Sequence, residues 1–66
     1  MNIILNGSPY EIEAAMPLTG LLEKLGLAGK PVVIELDEQA VFPRDYENTQ
    51  VIEGAKIEVV TLAAGG

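Results

Sequence analysis

One stripe of leucines constrains this chain more than any other feature. Leu18, Leu21, Leu22 and Leu25 fall at i, i+3, i+4 and i+7, the spacing of one apolar helix face. Pro17 suits the first helical position, where a missing N–H breaks no intrahelical bond. Gly26 or Gly29 supplies the left-handed stop, and Pro31 bars continuation. Gly20 weakens the helix by up to ~1 kcal/mol relative to alanine. This is the sole long helix in the reading, so its stripe must be buried against a sheet.

The flanking segments supply that sheet. Asn2-Ile3-Ile4-Leu5 runs into Asn6-Gly7, a strong hairpin-turn pair, and Tyr10-Glu11-Ile12-Glu13 alternates as a returning strand after Pro9. The connection reads as slightly longer than the tightest hairpin, which allows a bulge. Beyond the helix, Val32–Leu36 reads as a strand with Val32, Ile34 and Leu36 on one face. Asp37-Glu38-Gln39 turns the chain, and Ala40-Val41-Phe42 is a brief strand ended by Pro43. Arg44 to Glu47 suits a single helical turn, Asn48 and Thr49 a loop, and Glu53-Gly54 a bend. A last strand then covers Lys56 to Leu62.

A chain of 66 residues is one small domain, and its 48% hydrophobic content predicts a packed core. Cysteine and histidine are both absent, which excludes disulfide stapling, thiol or histidine catalysis and Cys/His zinc sites. The formal charge of −6 argues against nucleic acid as a partner, because phosphate contacts need clustered Lys and Arg. It suits either plain solubility or steering toward a basic surface on another protein. No apolar run is long enough to span a bilayer, and no leader pattern opens the chain, so a cytoplasmic location is expected. The pairs Glu11/Glu13 and Asp37/Glu38 accompany no pocket-forming sequence and read as solvated charge.

Helix after hairpin, with a last strand to follow, points to an α+β fold. A crossover through the helix lets the first and last strands pair in parallel at the centre of a mixed sheet. That arrangement is a β-grasp, with a domain at 1–62 and a free tail at 63–66. Parity assigns Ile3, Leu5, Ile57 and Val59 to the face under the helix. Ile4, Val60 and Leu62 then lie on the open face and form a candidate docking patch, with ordinary exposure as the alternative. The tail itself, Ala63-Ala64-Gly65-Gly66, drops from a β-branched strand into small residues. Glycines without a Cβ fit a channel too narrow for other residues; a frayed terminus is the plain alternative.

Taken in order, these residues resemble the ThiS family, the ubiquitin-like sulfur carriers of thiamin biosynthesis. The resemblance rests on Asn6-Gly7, Leu21-Leu22 with Leu25, Val33-Ile34-Glu35-Leu36, Val41, Pro43-Arg44 with Tyr46, Gly54, Ile57 through Leu62, and Gly65-Gly66. The chain departs from the family at Asp37-Glu38, where Asn-Gly is frequent, and at Gly54-Ala55, where Gly-Asp is frequent. It departs also at Pro17, in place of a threonine, and at Ala64, in place of a third glycine. The first three touch turns and caps, and Ala64 is small enough for a narrow channel.

The resemblance implies a co-substrate rather than an enzyme. A ubiquitin-activating-type adenylyltransferase (ThiF-like) would adenylate the Gly66 carboxylate with ATP and Mg²⁺, and this chain would bind no cofactor of its own. A cysteine desulfurase or rhodanese-type donor would provide persulfide sulfur, leaving a thiocarboxylate for thiazole synthase (ThiG-like). Ala63, Ala64 and Gly65 would be the stretch the partners recognise. By residue type alone, Arg44 is expected to pair with an acidic residue and hold its turn, with contact to a partner as the alternative, and Tyr46 is expected to pack. A sulfur carrier of another pathway, of the molybdopterin synthase small-subunit type, is the nearer alternative. A ubiquitin-like modifier or simple binding module is the more distant one.

Overall fold

Asn6-Gly7 closes the first hairpin as a two-residue turn. In the computed structural model, which describes residues 1–62, β1 (Asn2–Leu5) runs antiparallel to β2 (Ser8–Glu11), with Leu5 opposite Ser8. Asn6 and Gly7 have φ of 50° and 82°, the left-handed pair whose twist matches that of the strands. The longer, bulged connection expected from the sequence is therefore not formed. Pro9 lies inside β2 and is tolerated there because β2 is an edge strand.

β3 (Met16–Pro17) leads directly into α1 (Leu18–Lys24). Leu18, Leu21 and Leu22 are buried and Leu25 is half-buried, so the leucine stripe does face the core. The helix stops at Gly26, with φ 74°. The Gly26 amide donates to the Glu23 carbonyl at 3.0 Å and the Leu27 amide to the Leu22 carbonyl at 2.8 Å. These two bonds are the paired closure of a Schellman motif.

β4 (Val32–Leu36) and β5 (Gln39–Val41) form a second hairpin, one residue earlier than expected, around Asp37 and Glu38 at φ 50° and 71°. A 3₁₀ helix, Pro43–Asn48, follows and includes the Asn48 read as loop. β6 (Gln50–Val51) then pairs antiparallel with β3, a small ladder that the sequence reading does not contain. It explains why Pro17 caps the helix instead of opening it. Pro17 is extended opposite Gln50, and the Leu18 amide donates to the Thr49 carbonyl at 2.9 Å.

β7 (Lys56–Thr61) completes a five-stranded sheet in the order β2-β1-β7-β4-β5. β1 and β7 are parallel, with Leu5 opposite Ile57, and every other pairing in the sheet is antiparallel. This is the β-grasp arrangement, with the last strand at the centre. Ile3, Ile34 and Ile57 are fully buried under Leu18 and Leu21, joined by Ile12 and Val51. Burying each such side chain is worth ~1.5–3 kcal/mol, which a domain this small needs. Strand parity holds: Ile3, Ile57 and Val59 are buried on the helix side, and Leu5 packs half-buried beside them. No helix among the described residues is long and apolar enough to cross a membrane. The expected tail, residues 63–66, lies outside the described residues.

Candidate functional site

The two edges of β7 are closed off differently along its length. On the β1 side the Asn6 amide donates to the Ile57 carbonyl at 2.8 Å, and the Val59 amide then donates to the Asn6 side-chain oxygen at 2.7 Å. A side chain, not a strand, ends that ladder. On the β4 side, pairing continues through Val33 with Val60 and Val32 with Thr61. The Leu62 amide adds one more bond, to the Pro31 carbonyl at 2.9 Å. The strand stops at Thr61, one residue short of the sequence expectation.

On the open face, Val60 and Val33 stand directly opposite each other, 57% and 46% exposed. Phe42, 55% exposed, follows β5 in extended conformation, and alternation past Val41 puts it on the same side as Ala40 and Val33. The Arg44 guanidinium carbon lies 5.3 Å from the centre of the Phe42 ring, a cation–π distance. Beside this apolar row, Glu58 and Glu35 face each other across the ladder. Like charges so placed repel, and among the described residues neither forms an ion pair.

In the expected patch of Ile4, Val60 and Leu62, Ile4 stands apart from Val60. Ile4 pairs with Lys56, four places before Val60, roughly 13 Å along the strand at ~3.3 Å per residue. Ile4 is also half-buried. Leu62 lines a groove of about 440 Å³ with Leu22, Pro31, Val32, Pro43 and Tyr46, which belongs to the helix side of the sheet. Leu62 follows the last residue of β7 and is 50% exposed. Val33 and Phe42 are the partners of Val60 that the sequence reading passed over. The alternation around Ile34 already put Val33 opposite the core.

Tyr46 packs as expected: it is buried in the core cluster, and among the described residues its hydroxyl has no hydrogen-bond partner. Burial raises its phenol above the usual value. Arg44 approaches Asp45 only to 3.9 Å with both side chains exposed, an ion pair of little energetic value. Its stacking on Phe42 is the more specific contact. Asp37 and Glu38 serve the fold. The Asp37 carboxylate accepts the Lys56 amide at 3.0 Å, and Glu38 lies 3.5 Å from the Lys56 ammonium. Glu11 and Glu13 are exposed. Among the described residues no acidic group forms a metal-holding cluster.

The ThiS family model matches residues 3–66. A thiazole synthase of Magnetococcus marinus is 39% identical over 66 residues, all of this chain and 20% of that protein. A thiazole synthase of Paramagnetospirillum magneticum is 30% identical over the same span and the same 20% share. The chain thus spans about a fifth of the length of these relatives. Among solved structures, a crystal structure of the thiamine biosynthesis protein ThiS from Geobacter metallireducens superposes with a TM-score of 0.86 at 28% identity, covering 100% of both chains. A solution structure of a thiamine biosynthesis protein from the same organism gives 0.83, covering 100% of this chain and 88% of that one. Matched along nearly its whole length and folded as that protein is folded, the chain belongs to the ThiS family.

Proposed function

We propose that this chain is a sulfur carrier of thiamin biosynthesis and that the Gly66 carboxylate is the group that carries the sulfur. The observation behind this reading is the family match over residues 3–66, which takes in the Gly65-Gly66 pair. A carboxylate resists a sulfur nucleophile because it has no competent leaving group. A ThiF-like activating partner would remove that obstacle. One carboxylate oxygen attacks the α-phosphorus of ATP, with Mg²⁺ on the phosphates, and pyrophosphate leaves. A persulfide from a cysteine desulfurase or rhodanese-type donor attacks the carbonyl carbon and expels AMP. A second thiol then cleaves the S–S bond, the electron pair stays with the sulfur on Gly66, and a thiocarboxylate results. Every catalytic group in this sequence belongs to a partner, so the chain acts as co-substrate and not as enzyme.

Thiazole synthase is the proposed acceptor of the sulfur. Support comes from the two thiazole synthase relatives, in each of which the stretch similar to this whole chain makes up 20% of the protein. Val60, with Val33 and Phe42, forms the docking row beside the strand exit. Glu35 and Glu58 favour a partner with a basic rim. Leu62 stands at the root of the tail, and Ala63, Ala64 and Gly65 enter the partner's channel. Ile4 lies outside this row.

The test is the intact mass of the chain after incubation with ATP, the activating enzyme and a sulfur donor. Replacement of one oxygen by sulfur, localised to Gly66 by fragmentation, is the expected result. Deleting Gly66 should abolish the mass change and leave the fold intact. A deletion variant that still takes AMP or sulfur would sink the proposal. An unchanged mass with competent partners would favour a conjugated modifier or a binding module.

A further inference from the structure

We infer that Pro31 is a positioning residue that sets where the last strand lets go of the sheet, so that the residues after Leu62 are available to a partner. The inference rests on the carrier reading of Gly66 for its consequence, and on the ladder alone for its geometry.

Antiparallel partners alternate between pairs that exchange two backbone hydrogen bonds and pairs that exchange none. The Asp37 amide donates to the Lys56 carbonyl at 2.7 Å, which marks Lys56 with Asp37 as a bonded pair. In this register Glu58 with Glu35, Val60 with Val33, and Leu62 with Pro31 are the bonded pairs that follow. At the last of them the Leu62 amide donates to the Pro31 carbonyl at 2.9 Å. Proline has no N–H to return, so the Leu62 carbonyl receives nothing from residue 31. The next bonded partner in register is Gly29, whose φ of 75° takes it out of strand conformation. The Lys30 amide is turned the other way, donating to the Leu27 carbonyl at 3.0 Å.

The opposite edge is closed as well. β1 ends at Leu5, and the Asn6 side chain takes the Val59 amide. A strand at the centre of a sheet would ordinarily be held from both sides to its end. Here the Asn6 amide group closes one ladder and Pro31 leaves the other half-made. The ladder of β7 is therefore closed at Val59 on the β1 side and left half-made at Leu62 on the β4 side.

The test is Pro31→Ala, examined as the full chain. The amide introduced at position 31 should donate to the Leu62 carbonyl, complete the pair, and slow hydrogen exchange at Leu62 by roughly tenfold. Exchange at Ile34 and Val59 reports that the core is intact. With the activating enzyme, the apparent KM for the variant should rise about threefold or more at unchanged kcat, because the closed pair must open before the tail enters the channel. If Pro31→Ala fails to fold, Pro31→Val carries the same expectation with a residue suited to strands. Unchanged protection at Leu62 overturns the inference, and so does increased protection with unchanged KM. Should the native chain never be adenylated, the carrier reading fails, while the exchange measurement still decides the ladder.

Discussion

The Val59 amide donates to the Asn6 side-chain oxygen at 2.7 Å, across 53 positions of sequence. One residue thus turns the first hairpin and closes one edge of the last strand. Asn6→Gly keeps the left-handed turn and loses only this bond, at a cost of about 1 kcal/mol. Asn6→Ala loses the bond and adds a steric penalty at φ 50°, for a total of about 2 kcal/mol. Urea unfolding of both variants checks this. Equal stability of the two would remove the backbone part of the explanation, and a native-like Asn6→Gly would remove the hydrogen bond.

Gly20 sits inside the only α-helix among the described residues. A Cβ built there would meet Met16 and Pro17 atoms at 3.7 to 3.8 Å, ordinary van der Waals contact. Gly20→Ala should therefore fit without displacement and stabilise the domain by about 0.5–1 kcal/mol. A lowered melting temperature would show that the site is tighter than this geometry.

Glu38 holds φ 71° in a two-residue turn that favours glycine. Its ion pair with Lys56 is exposed, with side chains 79% and 50% accessible, so removing it costs little. Glu38→Gly should gain about 0.5 kcal/mol, strain relief outweighing the added freedom of the unfolded chain. Thermal unfolding at high salt, where the ion pair is screened, should show the larger gain.

Tyr46 separates packing from hydrogen bonding. Its hydroxyl is buried and, among the described residues, without a partner, so Tyr46→Phe should be neutral or stabilising by up to ~1 kcal/mol, whereas Tyr46→Ala should cost about 3–5 kcal/mol. Burial raises the phenol above 10.0. The folded state therefore holds this proton more tightly than the unfolded state. The stabilisation is fully present below the unfolded pKa and is lost as pH rises through the folded one. Urea midpoints between about pH 9 and pH 11 should fall less for Tyr46→Phe than for the native chain. Identical alkaline losses would assign the effect to other groups.

Val60 is 57% exposed, and its substitution should leave the core untouched. Val60→Asp should stay within about 1 kcal/mol of native stability. It should raise the activating enzyme's KM by roughly tenfold, since a charge replaces the centre of the apolar row. The same row flanked by Glu35 and Glu58 predicts slower association as salt is raised. An unaltered KM would place docking elsewhere on the domain.

The frame of the fold is legible in local sequence signals. The leucine spacing specified the helix and its buried side, Asn6-Gly7 the first hairpin, and hairpin-helix-strand order the parallel pairing of β1 with β7. These signals are local, or follow from chirality and crossover length, so they can be read without coordinates. Features built from residues distant in sequence come into view only once the chain is folded. The β3–β6 ladder moved the helix start past Pro17, because Gln50 and Thr49 supply the partners there. The row of Val33, Val60 and Phe42 depends on register between three strands, and register is set by the whole core. Where β7 ends is decided by Asn6 and Pro31 across its two edges, neither of which the strand's own residues reveal.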